Sequence, residues 1–280
     1  MEDRRMELPG SVISSPDIRV VENISGLRPR RIFIGSVDGD QMLKKISSVL
    51  FDEGTGARAN RLLGEGVHLD PFVLFDEYII PPDGGFPLHG HGGFEAVQFL
   101  MEGGTEYRDN MDNRGIIGAL GARKFVPGIG FQHSEYPSDG VATRGYLLWI
   151  KLSSAIGNPG TDYTQAGPGE IPLAVEDGFR KRTILGPGSP LRTFGNITFK
   201  HILSTETGSL NVYVRRGQNG FVYLSRGSLS LDRITLERGE GLVLEEGRVH
   251  TIEVSSGSEI VYAAGYRTNE AIIQDGGFVR

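Results

Sequence analysis

Two short segments decide the interpretation of this chain: GFPLHGH at residues 85–91 and GFQHSE at residues 130–135. Each carries two metal-binding side chains at positions i and i+2, and such side chains point to the same side of a β-strand. If the segments are neighbouring strands, four side chains converge on one point: His89, His91, His133 and Glu135. Three imidazoles and a carboxylate suit a borderline first-row metal ion. The sequence therefore predicts a metal centre.

Other residues near these segments leave alternatives open. Glu95 follows His91 by four positions, so strand alternation makes it a rival carboxylate ligand. Taken alone, His89 and His91 could be an exposed polar pair on a strand or loop. The second pair, His133 and Glu135, favours a metal site instead. The remaining histidines are expected to be structural or on the surface: His68, His201 and His250.

Composition favours an all-β fold and excludes several functions. The chain has 280 residues and 41 glycines, about twice the usual share of roughly 7%. Such an excess is typical of a fold with many hairpins and bulges. There is no cysteine, which excludes disulfides, thiolate zinc sites and cysteine nucleophiles. The formal charge is −6 without a basic patch, so direct nucleic-acid binding is disfavoured.

The chain divides by its pattern into an extension and two halves. Residues 1–44 are predicted as an N-terminal extension, with β-prone runs at 18–24 and 31–34 that could add edge strands, bind a protein partner or lie loosely on the surface. Residues 45–160 and 161–280 each contain many short strand candidates separated by glycine turns, the first of them at 46–51. The Gly- and Pro-rich residues 153–170 are predicted to be a linker, and residues 270–275 a short helical turn.

The two halves resemble each other, which predicts a duplicated barrel. Residues 99–103 are echoed by residues 222–227. The glycine-framed spacing from Gly121 to His133 returns from Gly241 to His250. The second half has no His-x-His pair, so only the first barrel is expected to hold metal.

The pattern resembles the cupin motifs and, in more detail, the pirin family. The similarity runs densely through residues 45–172 and more loosely through the second half, with residues 1–44 outside it. The matching stretches are Leu69-Asp70-Pro71-Phe72, Phe75-Asp76-Glu77, Gly85-Phe86-Pro87, His89-x-His91, Gly93-Phe94-Glu95, Glu102-Gly103, Arg108-Asp109, Asn113-Arg114-Gly115, Gly128-x-Gly130, His133-Ser134-Glu135-x-Pro137, Arg144-Gly145, Leu148-Trp149, Tyr163-x-Gln165 and Ile171-Pro172.

The resemblance implies an all-β bicupin fold: two tandem jelly-roll-like β-barrels with one mononuclear metal, usually iron, in the first. By position it assigns the ligands to His89, His91, His133 and Glu135, which favours Glu135 over Glu95. This chain departs from the family where Gly90, Gly92 and Ile129 stand near the ligands, and at residues 124–126. Positive charges expected near the metal are absent there, which affects substrate choice and redox tuning.

The resulting hypothesis is an Fe(II)-dependent dioxygenase similar to pirin-type quercetin 2,3-dioxygenases. Its partners would be a small aromatic, flavonol-like enol and O₂; Mn, Ni, Co, Cu or Zn are alternative metals. Glu135 is predicted to act as the catalytic base, and Phe86, Phe94 and Phe131 as pocket walls. The alternative is a metal- and redox-sensing regulatory protein without catalysis, with a protein partner at residues 1–44. Without an apolar leader or membrane run, a cytoplasmic location is expected, or a nuclear one in a eukaryote. Sugar-phosphate isomerases, which need basic residues near the metal, are disfavoured.

Overall fold

A computed structural model describes residues 32–37 and 41–280, with side chains from residue 43 onwards. The predicted run at 18–24 lies outside the described residues. The strands as far as the end of the first barrel are β1 (Ile32–Val37), β2 (Gln41–Ser47), β3 (Val49–Glu53), β4 (Ala57–Leu63), β5 (Phe72–Ile80), β6 (Phe86–Gly90), β7 (Phe94–Glu102), β8 (Gly104–Asp109), β9 (Arg114–Gly118), β10 (Ala122–Val126), β11 (Gln132–Pro137), β12 (Thr143–Lys151) and β13 (Asp162–Ala166).

The rest of the chain has the same character. Its strands are β14 (Leu173–Glu176), β15 (Phe179–Leu185), β16 (Ile197–Ser204), β17 (Gly208–Val214), β18 (Gln218–Arg226), β19 (Leu229–Leu231), β20 (Ile234–Leu236), β21 (Glu240–Leu244), β22 (Arg248–Val254), β23 (Glu259–Tyr266), β24 (Gln274–Asp275) and β25 (Phe278–Val279). A single 3₁₀ turn at Ser154–Ile156 is the only helical element among the described residues. No helix in that part of the chain has the length and apolarity that a membrane span requires.

The two halves fold into matching antiparallel barrels, which confirms the predicted duplication. In the first, the large sheet has the order β13-β10-β7-β12-β5-β4-β3 and the small sheet β6-β11-β8-β9. In the second, the large sheet has the order β1-β2-β21-β18-β23-β16-β15-β14 and the small sheet β17-β22-β19-β20. The four strands of each small sheet correspond, with β6 and β11 matched by β17 and β22; the large sheets have seven and eight strands, and β1 is the additional edge strand of the second.

The barrels exchange strands at their edges, so sheet membership differs from the predicted boundaries at residues 44/45 and 160/161. Strand β2 pairs with β21 of the second barrel, and β3, one residue later, begins the first barrel. The predicted strand at 46–51 is therefore two strands in different sheets. Within the predicted linker, β13 pairs with β10 of the first barrel. The run at 31–34 contributes to β1, which is an edge strand of the second sheet beside β2.

A shared apolar core joins the large sheets of the two barrels. Phe75 of the first barrel contacts Phe221 and Tyr223 of the second, with ring centroids 5.2 and 5.1 Å apart. At the edge of this core Arg144 lies 3.0 Å from both Glu77 and Glu259, one carboxylate from each barrel. Because side chains alternate between the two faces of a strand, one face of each large sheet packs in this shared core and the other face lines the interior of its own barrel.

The C-terminal residues return to the first barrel, and the predicted helical turn at 270–275 is wrong. Residues 274–279 form the hairpin β24-β25 instead, because Gly276 adopts a left-handed φ of 53° and Gly277 closes the turn. Val279 is buried in the core of the first barrel, and its N–H donates to the carbonyl of Gly92 at 2.9 Å.

Candidate metal centre

Two neighbouring strands of the small sheet bring the three predicted histidines together. Strands β6 and β11 are antiparallel neighbours, with His133 directly opposite His89. His91 follows β6, and its N–H donates to the carbonyl of Phe131 at 3.3 Å. One ring nitrogen from each histidine lies within 4.8 Å of those of the other two. This is the convergence that the i, i+2 spacing predicts.

The ring orientations leave nitrogen lone pairs for a metal ion. The Nδ1 of His89 lies 2.7 Å from the carbonyl of Pro87, and the Nδ1 of His91 lies 3.1 Å from the carbonyl of Gly277. A carbonyl only accepts, so each Nδ1 carries a proton, and the lone pair of a neutral ring is then on Nε2. Both ring nitrogens of His133 are buried without a hydrogen-bond partner.

Burial keeps two of these imidazoles neutral. Burial, reinforced by His89, lowers the pKa of His91 to about 4. Burial also holds the pKa of His133 well below its usual value, with the other two histidines adding to the effect. Neutral imidazoles with orphaned nitrogens form a donor set that fits a first-row divalent metal ion.

The fourth predicted ligand, Glu135, lies beside this cluster but contacts other groups. Its Oε2 accepts from Nε2 of Gln98 at 3.0 Å and lies 3.2 Å from Nη2 of Arg123. Its Oε1 lies 3.5 Å from Nδ1 of His133. The register of β11 against β6 shifts between His133 and Glu135, and this carboxylate is not part of the three-histidine cluster.

Arg123 is a site residue that the sequence interpretation missed. Its side chain is completely buried, its Nη2 donates to Oγ1 of Thr105 at 2.8 Å, and its guanidinium carbon lies 4.8 Å from the ring centroid of Tyr107. Little in the sequence signals it, because Arg123 stands on β10 between Ala122 and the charged Lys124. It places a positive charge near the cluster, although Gly90, Gly92 and Ile129 carry none.

The rival carboxylate, Glu95, faces the second barrel and is not a ligand. Its Oε2 accepts from the N–H of Phe194 at 2.9 Å, and its Oε1 lies 3.9 Å from Nζ of Lys124. Strand parity fails here because β6 ends at Gly90 and β7 begins at Phe94, with Gly93 at a φ of 86° between them. Burial raises the pKa of Glu95 to about 7.

The cluster opens into a cavity of about 590 Å³, within the usual range for small-molecule sites. Its walls combine apolar side chains with the polar groups described above. The apolar lining includes Leu74, Phe86, Leu88, Phe125, Leu147 and Trp149. Of the predicted wall residues only Phe86 lines it. Phe94 stacks behind Trp149 with centroids 4.0 Å apart, and Phe131 stacks behind Phe125.

In the second barrel the corresponding positions hold apolar residues. His250 on β22 stands opposite Val212 on β17, as His133 stands opposite His89, and Val214 takes the place of His91. The Nε2 of His250 lies 2.8 Å from the carbonyl of Glu245. Valine side chains have no ligand atom, so the donor set of the first barrel is not repeated here.

The remaining two histidines make structural hydrogen bonds, as predicted for His201. Its Nε2 lies 3.3 Å from Oε1 of Glu259 between the two barrels. The Nδ1 of the half-buried His68 lies 2.9 Å from the carbonyl of Val73. Neither ring takes part in the histidine cluster.

The architecture and the histidine cluster define the class: a bicupin protein with a candidate metal centre in its first barrel. The Pirin family profile matches residues 50–150. Human Pirin is 30% identical over 240 residues, which span 81% of this chain and 83% of that protein. Pirin-like protein 2 of Arabidopsis thaliana is 32% identical over 206 residues, 71% of this chain and 60% of that protein's length. The chain belongs to the pirin family.

Solved structures share the fold. A quercetin 2,3-dioxygenase from Acinetobacter baumannii superposes with a TM-score of 0.78 at 18% identity, covering 85% of this chain and 83% of that one. The bacterial pirin YhhW from Escherichia coli, in complex with nickel(II), superposes with a TM-score of 0.67 at 17% identity, covering 81% and 99%. At these identities the likeness establishes the bicupin fold.

Proposed function

We propose that this protein is a metal-dependent dioxygenase, with Fe(II) as its native ion, that opens a flavonol-like aromatic enol with O₂. One observation carries the proposal: neutral imidazoles converge on the wall of a 590 Å³ cavity, with a carboxylate beside them. The quercetin dioxygenase named among the structural neighbours supports the substrate class.

The three histidines would hold the metal through their Nε2 atoms, with His89 and His91 oriented by the carbonyls of Pro87 and Gly277, and with Oε1 of Glu135 3.5 Å from Nδ1 of His133. When bound, the ion would supply Lewis acidity toward a substrate hydroxyl and coordination positions that the protein leaves open. The structural neighbour YhhW binds nickel(II).

Glu135 is the residue placed to receive the hydroxyl proton of the substrate. Its carboxylate lines the cavity and is fixed by Gln98 and Arg123 on its Oε2, which leaves Oε1 toward His133. A carboxylate with a fixed orientation needs little reorganisation to accept a proton. Phe125 and Trp149 narrow the cavity, orient a flat ring and exclude water.

The test is oxygen consumption and carbon monoxide release with quercetin and Fe(II)-loaded protein. Turnover is expected, and Glu135→Gln should reduce it by roughly 100-fold or more. His250→Ala, which changes a histidine of the second barrel, is the matched control and should keep the rate. Stoichiometric metal without turnover would refute catalysis on this substrate.

A metal- and redox-sensing role is the second candidate, and one contact favours it. The Gly277 carbonyl that meets His91 belongs to the C-terminal hairpin, where Phe278 is 53% exposed. A change in the oxidation state of a metal ion bound at His91 would therefore alter the hairpin, whose exposed surface a protein partner can contact. Hydrogen exchange of residues 272–280 should differ between the Fe(II) and Fe(III) forms; equal exchange would remove this candidate.

A further inference from the structure

A second cavity, of about 760 Å³, opens at the mouth of the second barrel, away from the histidine cluster. Strands β15, β16, β17 and β23 line it, together with the loop at residues 186–196. Its volume lies within the range of small-molecule sites, which is roughly 300–1,000 Å³. Val212, the counterpart of His89 in this barrel, is among its lining residues.

Two lysines project into this barrel from its large sheet. Lys181 on β15 stands opposite Ile202, and Lys200 on β16 stands opposite Tyr262. Ile202 and Tyr262 both belong to the apolar core of the second barrel. Since cross-strand partners share a face, the two lysines point inward too. Phe199, next to Lys200, points the other way, into the core between the barrels.

The charges around the cavity do not balance. Lys181 lies 3.0 Å from Glu176, the one carboxylate of the lining. Three further cations line the cavity, and within residues 43–280 no carboxylate lies within ion-pair distance of them: Arg192, Lys200 and Arg215. In the first barrel, by contrast, Arg61 lies 2.7 Å from each of two carboxylates. The second cavity is thus a cationic hollow in a protein of net charge −6.

The half-buried position of Lys200 is costly without an anion. Burial, with Lys181 nearby, lowers the pKa of Lys200, as expected where two amines face one confined space. Apolar groups complete the lining, among them Leu185, Leu210, Val212 and the ring of Tyr262. A ligand that fits needs negative charge at one end and an apolar body.

We propose that the second barrel binds a small organic dianion, a dicarboxylate or a phosphomonoester, with its oxyanion group between Lys181 and Lys200. Arg192 and Arg215 attract the anion at the mouth, since cations around a low-dielectric cleft concentrate the field there. The site uses no residue of the histidine cluster.

The experiment is calorimetric titration of the full-length, metal-free protein at constant ionic strength with two probes, inorganic phosphate and succinate. Saturable one-to-one binding of at least one probe is expected, and the tighter probe indicates the ligand class. Lys200→Gln should weaken binding by roughly tenfold or more, because a charge-assisted hydrogen bond is lost. Arg180→Gln removes one charge from the exposed, opposite face of β15 and should leave the affinity within about twofold.

Two outcomes of the titrations with wild type, Lys200→Gln and Arg180→Gln would overturn the proposal. One is no saturable heat with either probe. The other is an equal loss in Lys200→Gln and Arg180→Gln, which would mean unspecific charge attraction. Folding is checked by thermal unfolding: Lys200→Gln should match the wild type in chloride but lose the stabilisation that the bound probe gives. His89→Ala should bind the probe normally, whereas loss of binding would place the anion in the first barrel and refute the assignment.

Discussion

Replacing Arg123 by methionine should expose how strongly the candidate metal centre depends on one buried ion pair. Arg123 is completely buried and Glu135 is 6% exposed, with Nη2 and Oε2 3.2 Å apart. Within residues 43–280, no other arginine or lysine lies within ion-pair distance of Glu135. Removing either partner leaves a desolvated charge, which costs about 3–5 kcal/mol of the free energy of unfolding.

Removing both partners should cost much less than the sum of the single changes. In Arg123→Met/Glu135→Gln no buried charge remains unpaired, and Gln98 can still hydrogen-bond the new amide. The coupling free energy should therefore be about 3 kcal/mol, well above the error of such a cycle. The exposed pair Arg108 and Glu106, at 2.5 Å, is the matched control, with an expected coupling below about 1 kcal/mol.

Urea unfolding of metal-free protein, followed by tryptophan fluorescence, measures all four members of each cycle. Additive effects for Arg123 and Glu135, or a coupling no larger than that of the surface pair, would refute the reasoning. Such a result would mean that water or a rearranged backbone satisfies Glu135 when Arg123 is absent.

Three further predictions follow from other buried groups. Burial raises the pKa of Glu95 from 4.5 to about 7, so between these pH values the folded protein keeps a proton that the unfolded chain releases; the resulting stabilisation of about 3 kcal/mol is complete below pH 4.5 and is lost as the pH rises through 7. Glu95→Gln should therefore make the free energy of urea unfolding depend less on pH between pH 5 and pH 8, and an unchanged pH dependence would contradict this. Arg144→Met should destabilise by about 3–5 kcal/mol, because it removes the guanidinium that pairs with the buried carboxylates of Glu77 and Glu259. The exposed Arg58→Met should cost less than about 1 kcal/mol in the same denaturant series. Val279→Ala should lower the free energy of unfolding by about 2 kcal/mol because buried apolar surface is lost. It should also weaken metal affinity, measured by chelator competition, by about tenfold, because the hairpin that contains Val279 holds His91. Unchanged affinity would show that the hairpin does not affect the metal site.

The histidine cluster could be predicted because its geometry is local. The i, i+2 spacing fixes which way His89 and His91 point, and it brings His133 to them once the two segments are neighbouring strands. Most strands of the second barrel were likewise within reach, since their apolar residues alternate. Each of these inferences uses only contacts between residues close in sequence or related by the repeat.

The parts that could not be predicted depend on contacts between distant segments. The carbonyl of Gly277 meets His91 across 186 positions, and a backbone oxygen has no sequence signature. The pairing of β2 with the large sheet of the second barrel could not be predicted either, because an alternating apolar pattern indicates a strand but not the strand with which it pairs. Glu95 misled the parity argument because two glycines break the strand before it.

The return of the C-terminal hairpin to the first barrel has a consequence for synthesis on the ribosome. The residues around Gly277 are translated after both barrels, yet they supply the carbonyl that orients His91 and the side chain of Val279 that covers the barrel wall. Residues 41–47 are synthesised early but must wait for their partner strand, because β21 is translated almost two hundred residues later. A nascent chain in which only the first barrel has been synthesised therefore has all three histidines of the cluster, but His91 lacks the carbonyl of Gly277 that orients its ring. Metal uptake with native affinity should accordingly be a late event, after residues 272–280 have been synthesised and have folded onto the first barrel.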